Sequence, residues 1–156
     1  MDRPIVLCTD GSDLAHEALR LGLALLADPG DVVITTVIEH SDPSLVTGTG
    51  FAGGTMTPSE LVDLDQGRQD TALALLEGTA EFLGLPGAEL RVLDGRPGPA
   101  VCDLAEELEA RAIVIGTRGR GGFKRALLGS VSDHIVRSAP CPVIVVGSTA
   151  VDDEPT

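Results

Sequence analysis

A chain of 156 residues with 43% hydrophobic and 2% aromatic content and a formal charge of −13 has the length for one domain with a full core. The charge speaks against a general nucleic-acid surface, which needs positive patches along the phosphate backbone, and no apolar run reaches the ~20 residues of a membrane span. A strand pattern begins almost at the N-terminus, without the marks of a signal peptide, so the expected location is the cytoplasm.

With so few aromatics, the core must come from Leu, Val, Ile and Ala, a composition suited to a parallel sheet covered by helices. The first strand is expected over Arg3–Asp10, where Ile5, Val6, Leu7 and Cys8 are continuous and apolar, as in a strand buried on both faces. Thr9-Asp10-Gly11-Ser12-Asp13 ends it, with Ser12 or Asp13 as the helix N-cap. Leu14, Ala18, Leu21 and Leu25 follow at helical spacing and mark the expected inner face. Asp28-Pro29-Gly30-Asp31 closes that helix. Val32–Ile38 is the second strand. The Gly/Ser/Thr-rich segment 41–56 after it predicts a flexible loop.

Thr57-Pro58-Ser59-Glu60 is a helix start, with a capping threonine, proline at the first helical position and glutamate three residues on. The helix should run to about Leu83, with Ala72, Leu75, Leu76, Thr79 and Leu83 inward and Gly84 ending it. Ala88–Leu93 alternates apolar and charged residues, which marks an edge strand. A third helix carries Val101, Leu104, Ala105 and Leu108 on its inner face. Ala112–Ile115 is the fourth strand, Val131–Ser138 the last helix and Val143–Val146 the fifth strand. Tail 148–156 is acidic and expected to fray. Strands alternating with helices demand parallel pairing through right-handed crossovers, and ligands of such sheets bind at the carboxyl ends of the strands.

Cys8, Cys102 and Cys141 have no zinc-ligand spacing and read as three reduced, buried thiols. His16, His40 and His134 have no Ser, Cys or metal-ligand partner at telling spacing. His134 is expected to lie exposed on the last helix without a chemical role.

The stretch Ile113–Ser132, IVIGTRGRGGFKRALLGSVS, organises the rest. A β-branched run stops at Gly116, a glycine-rich loop follows, and Gly129-Ser130 opens a helix. Four of the 11 basic residues, Arg118, Arg120, Lys124 and Arg125, fall in that loop. Glycines let a backbone approach an anion and turn its N–H groups inward, and a helix start adds unpaired donors and the positive end of the dipole. The stretch therefore reads as a phosphate seat.

Gly116-x2-Gly119-x9-Gly129-Ser130 resembles the G-x2-G-x9-G-[S/T] motif of the nucleotide-binding universal stress proteins. IVLCTDGSD, GRPGPAVCDLAEE and GSVSDHIVRSAPCPVIVV are similar to that family's first strand and turn, third-helix start and C-terminal signature. The resemblance spans 1–147. It implies a single-domain, open, Rossmann-like α/β fold: a five-stranded parallel sheet in the order 3-2-1-4-5 with helices on both faces. It also implies an ATP site, with Mg2+ as the accompanying metal. Carried over by position, Asp10 and the backbone near Val37 meet the adenine and ribose, and Gly116 lies under ribose and phosphates beside Ile115 and Arg118. Gly119, Gly129, Ser130, Val131 and Ser132 surround the phosphates, and the Ser130 hydroxyl is placed to help hold a metal. Cys8 stands where the family often has proline or another small residue.

Strand five, Val143-Ile144-Val145-Val146, carries no charge to guard an edge, and the economical cover is a second copy in a two-fold dimer. The functional expectation is a nucleotide-dependent regulatory protein. No Walker lysine motif, kinase catalytic loop or base poised to activate water is present. An adenylating or ATP-hydrolysing enzyme of the related α/β class is the alternative, weakened because TDGSD stands where SGGxDS would. A dinucleotide-binding domain fits less well, since Gly119-Arg120-Gly121-Gly122 is not GxGxxG.

Overall fold

The computed structural model describes residues 3–39, 57–117 and 128–147. The expected loop over 41–56, Arg118 and Gly119 of the glycine-rich stretch, and the tail over 148–156 lie outside the described residues.

Strands β1 (Ile5–Cys8), β2 (Val32–Ile38), β3 (Glu89–Asp94), β4 (Ala112–Gly116) and β5 (Val143–Val146) alternate with helices α1 (Asp13–Ala24), α2 (Pro58–Leu83), α3 (Pro97–Glu107) and α4 (Ser130–Ser138). All pairings are parallel and the sheet order is β3-β2-β1-β4-β5, as the family resemblance implies. β1 is shorter than expected. It ends at Cys8, which lies opposite Thr35 on one side and Ile115 on the other.

Period-two alternation divides the core into two layers. Ile5 and Leu7 point with Val114 toward Leu19 of α1 and Leu76 of α2. Val6 and Ile113 point the other way, toward Val101 and Leu104 of α3 and Ile135 of α4. The central strands are thus buried on both faces, which is why they read as continuous apolar runs.

The caps form largely as the residues dictate. Ser12 Oγ accepts from the Ala15 amide at 3.2 Å. Thr57 and Glu60 make a reciprocal capping box, and Gly84 ends α2 in the left-handed conformation at φ 66°. Ala72, Leu76 and Thr79 are buried on α2, with Leu75 and Leu83 packed at the margin.

The inner face of α1 differs from the expectation. Ala15, Ala18, Leu19 and Gly22 are buried, while Leu14, Leu21 and Leu25 are 45%, 39% and 75% exposed. The cause is close approach to the sheet: a Cβ on Gly22 would stand 2.4 Å from a Val114 methyl. A helix seated that tightly needs small residues underneath, and its leucines are rotated to the flank.

Candidate functional site at the carboxyl ends of the strands

The sheet order makes β1 and β4 neighbours whose connections run to opposite faces, so the switch point lies above the end of β1. Backbone alternation shows what faces it. The Thr35 carbonyl accepts from Thr9 N–H at 3.0 Å on the β1 side, and the Ile38 carbonyl accepts from Gly95 N–H at 3.0 Å on the β3 side. The peptide groups of Val37 therefore turn toward β1 just where that strand stops. In β4, Ile113 and Thr117 donate to the Pro142 and Val146 carbonyls on the β5 side. By the same alternation, Gly116 turns toward β1. Val37 and Gly116 thus flank one notch from its two sides.

Asp10 sits at this notch in the β1–α1 turn. Its Oδ1 accepts from the Ser12 N–H at 2.9 Å and the Ser12 hydroxyl at 2.6 Å. The carboxylate therefore organises the turn as well as bordering the notch. Gly11, at φ 76°, is pressed against α2: a Cβ there would lie 2.5 Å from Leu75. Cys8, just below, packs among the α3-side core residues. Burial, with a further contribution from Asp10, pushes its thiol up to about 12, so it is a neutral thiol at physiological pH.

Asp10 and Val37 line the same cleft, of about 740 Å³, closed on its far side by Asp63, Gly67, Arg68 and Thr71 of α2. Sequence reasoning assigned α2 only an inward apolar face and missed this wall. The repeat of Asp63, Gly67 and Thr71 at four-residue intervals was the available signal. A second cleft, of about 830 Å³, opens at the opposite end of the sheet between Arg3, Asp31, Gly84 and Glu107, away from the strand carboxyl ends.

The glycine-rich segment leaves and returns at one point, since Gly129 N–H donates to the Thr117 carbonyl at 2.9 Å. Gly129 is the N-cap of α4 and carries no capping side chain. The amides of Ser130, Val131 and Ser132 thus begin a helix whose cap offers them no oxygen. A Cβ on Gly129 would lie 3.1 Å from the Thr117 carbonyl, tighter than ordinary contact. Ser130 is exposed, whereas Ser132 is buried and its hydroxyl donates to the Gly129 carbonyl at 3.0 Å. Asp133 in the first turn is drawn to Arg137, with N–O distances of 3.0 and 3.1 Å, which moderates its negative charge at that helix end.

Ile115 is buried in the α3-side core and its peptide turns toward β5, placing it behind the notch. His134 is half-buried and packs on Gly98, where a Cβ would come within 2.7 Å of its ring. That corrects its expected exposure: α4 lies close enough to α3 for the ring to fill the gap. His16 packs against α2, with Nε2 3.0 Å from Thr79 Oγ1 and its ring stacked on Phe82. Cys102 is buried, and Cys8 and Cys141 are half-buried; all three are free thiols. Among the described residues, no group of three or more His, Cys, Asp or Glu could hold a metal, and no helix is long and apolar enough to cross a membrane.

The model of the universal stress protein family matches residues 1–147. The chain belongs to the universal stress protein family. A universal stress protein of Thermus aquaticus is 43% identical over 146 residues, covering 94% of this chain and 99% of that one. The structure of the hypothetical protein MJ0577 superposes with a TM-score of 0.72, covering 94% of this chain and 96% of that one at 22% identity. A universal stress protein solved in complex with cAMP, 26% identical, has a TM-score of 0.62 with 92% and 96% covered.

Proposed function

We propose that this universal stress protein is a nucleotide-dependent regulator that binds ATP, with Mg2+, in the notch above β1. Asp10 and the Val37 peptide meet the adenosine end, and Gly116, with Ile115 and Arg118 beside it, lies under the ribose and first phosphates. Gly119, Gly129, Ser130, Val131 and Ser132 enclose the phosphate chain, and the Ser130 hydroxyl stands at the metal. The observation that carries the reading is the start of α4. It is capped by a glycine without a side chain, begins beside the end of β4, and follows a segment rich in glycine and arginine. Such a helix start favours an anion. The relative solved with cAMP supports an adenine nucleotide as the ligand class. Occupancy would be transmitted through segment 41–56, which follows β2 shortly after Val37.

A second copy completes the unit. The Pro142 and Val146 carbonyls face β4, so the peptide groups of Val143 and Val145 face the free edge. Antiparallel pairing of two β5 strands about Ile144 would employ them in a two-fold dimer.

Calorimetric titration of ATP, ADP and cyclic AMP, with and without magnesium, on wild type and Gly129→Glu tests the site. The expected result is ATP binding by wild type and its loss in the variant, with circular dichroism and dimer unchanged. Equal affinity in the two proteins would remove the α4 start from the site. Steady release of ADP or pyrophosphate would transfer the protein to the enzyme reading.

A further inference from the structure

We propose that the cleft at the amino ends of β1, β2 and β3 is a docking groove for an extended, lysine-bearing segment of a partner protein. It lies at the opposite end of the sheet from the nucleotide notch, so its occupant is independent of the nucleotide reading.

The topology builds the groove. Pro4, Val32 and Val33 form its floor, where three neighbouring strands begin. α2 and α3 pack on opposite faces of the sheet, and both end here. Leu85 and Pro86, just past α2, make one wall, and Leu108, just past α3, stands in the other. The groove holds about 830 Å³. Three strands ~4.8 Å apart give a floor ~10 Å long, enough for about three residues of extended chain.

Charge selects the occupant. Asp31, Glu89, Glu107 and Glu109 rim the apolar floor. Against them stand Arg3 in the lining and Arg91, which reaches Glu89 and Glu107 from β3. Among the described residues, neither Asp31 nor Glu109 takes part in an ion pair. The C-terminal ends of two helix dipoles add to the negative potential, and neither α2 nor α3 carries a basic residue in its last turn.

Glu109 is the outlier that gives this charge a purpose. It holds the left-handed conformation, at φ 48°, where α3 ends, the conformation that Gly84 supplies at the end of α2. Its carboxylate also stands at a helix end that favours a cation. Glycine would avoid both costs, and backbone strain kept at such a cost points to function. Lysine answers both parts of the groove: its aliphatic stem lies on proline, valine and leucine while its ammonium group reaches the rim.

Fluorescence anisotropy at low salt, on the full chain with a labelled five-residue peptide alternating leucine and lysine, tests the groove. The variants are Glu107→Gln/Glu109→Gln, Glu109→Gly and, as a control of equal charge change at exposed positions of α2, Asp65→Asn/Glu77→Gln. Wild type and the control should bind, and the Glu107→Gln/Glu109→Gln variant should bind roughly 10-fold more weakly. Glu109→Gly should also bind more weakly, yet melt about 2–4 °C higher, a split that a purely structural glutamate would not give. Equal weakening in the control overturns the groove, because the peptide then senses only net charge. Absence of binding by wild type overturns it as well. Displacement by spermidine at the peptide's own concentration makes the occupant a free polyamine. A sedimentation mass changed in the Glu107→Gln/Glu109→Gln variant alone makes it a second copy. Either result overturns the partner assigned here.

Discussion

The two edges of the sheet pose the same problem and meet it in opposite ways. β3 carries Glu89 and Arg91 on its α3-side face, where Arg91 pairs with Glu89 and reaches Glu107 at 3.9 Å. A strand approaching that edge would have to strip water from charges that then lack new partners. β5 offers Val-Ile-Val-Val, half-buried throughout and without a charge. One edge is guarded and the other is left open to a partner. In the proposed dimer, that difference would limit assembly to two copies instead of an open-ended array.

The largest effect should come from erasing that difference. Glu89→Val/Arg91→Val makes β3 an apolar edge like β5, and the expected product is a chain of dimers joined edge to edge. Light scattering at increasing concentration should show mass growing beyond the dimer without a plateau, where wild type levels off. A mass held at the wild-type value would show that charge is not what keeps β3 unpaired. A smaller effect tests the seat of α1 beside β5. Gly22→Ala places a Cβ 2.4 Å from Val114, so the helix must lift. Overpacking of this kind costs ~1–3 kcal/mol, read as a lower urea midpoint at unchanged slope.

Much of this was legible in the residues. β2 and β5 end where their runs end, and the capping box at Thr57 and Glu60 formed because two short-range hydrogen bonds decide it without tertiary help. The edge position of β3 was visible in the charges at Glu89 and Arg91. The inner face of α1 was not, because helical spacing alone admits two neighbouring faces, and the larger side chains pointed to the wrong one. Distance to the sheet decides between them, and that distance is set by Gly22 meeting Val114, which no local pattern records. At the candidate site, strand ends placed Asp10 and Gly116 on one rim, while Val37 came only with the family resemblance. The α2 wall with Asp63, Gly67, Arg68 and Thr71 was not legible, because its position depends on how Leu75 seats against Gly11.

The smallest effect asks whether the ion pairs on β3 matter for stability or only for their charge. Arg91 and Glu89 are side chains 39% and 53% exposed, so their attraction is screened by water. Arg91→Ala should cost ~0–1 kcal/mol, measured by urea unfolding, and the difference from wild type should shrink in half-molar salt as screening removes what remains. The oligomeric state should stay as in wild type, because Glu89 keeps a charge on the edge and one unpaired carboxylate still opposes strand addition. If Arg91→Ala alone produces growth beyond the dimer, then the guard is the paired geometry of the two side chains and not the presence of charge, and the contrast between the two edges lies in order rather than polarity.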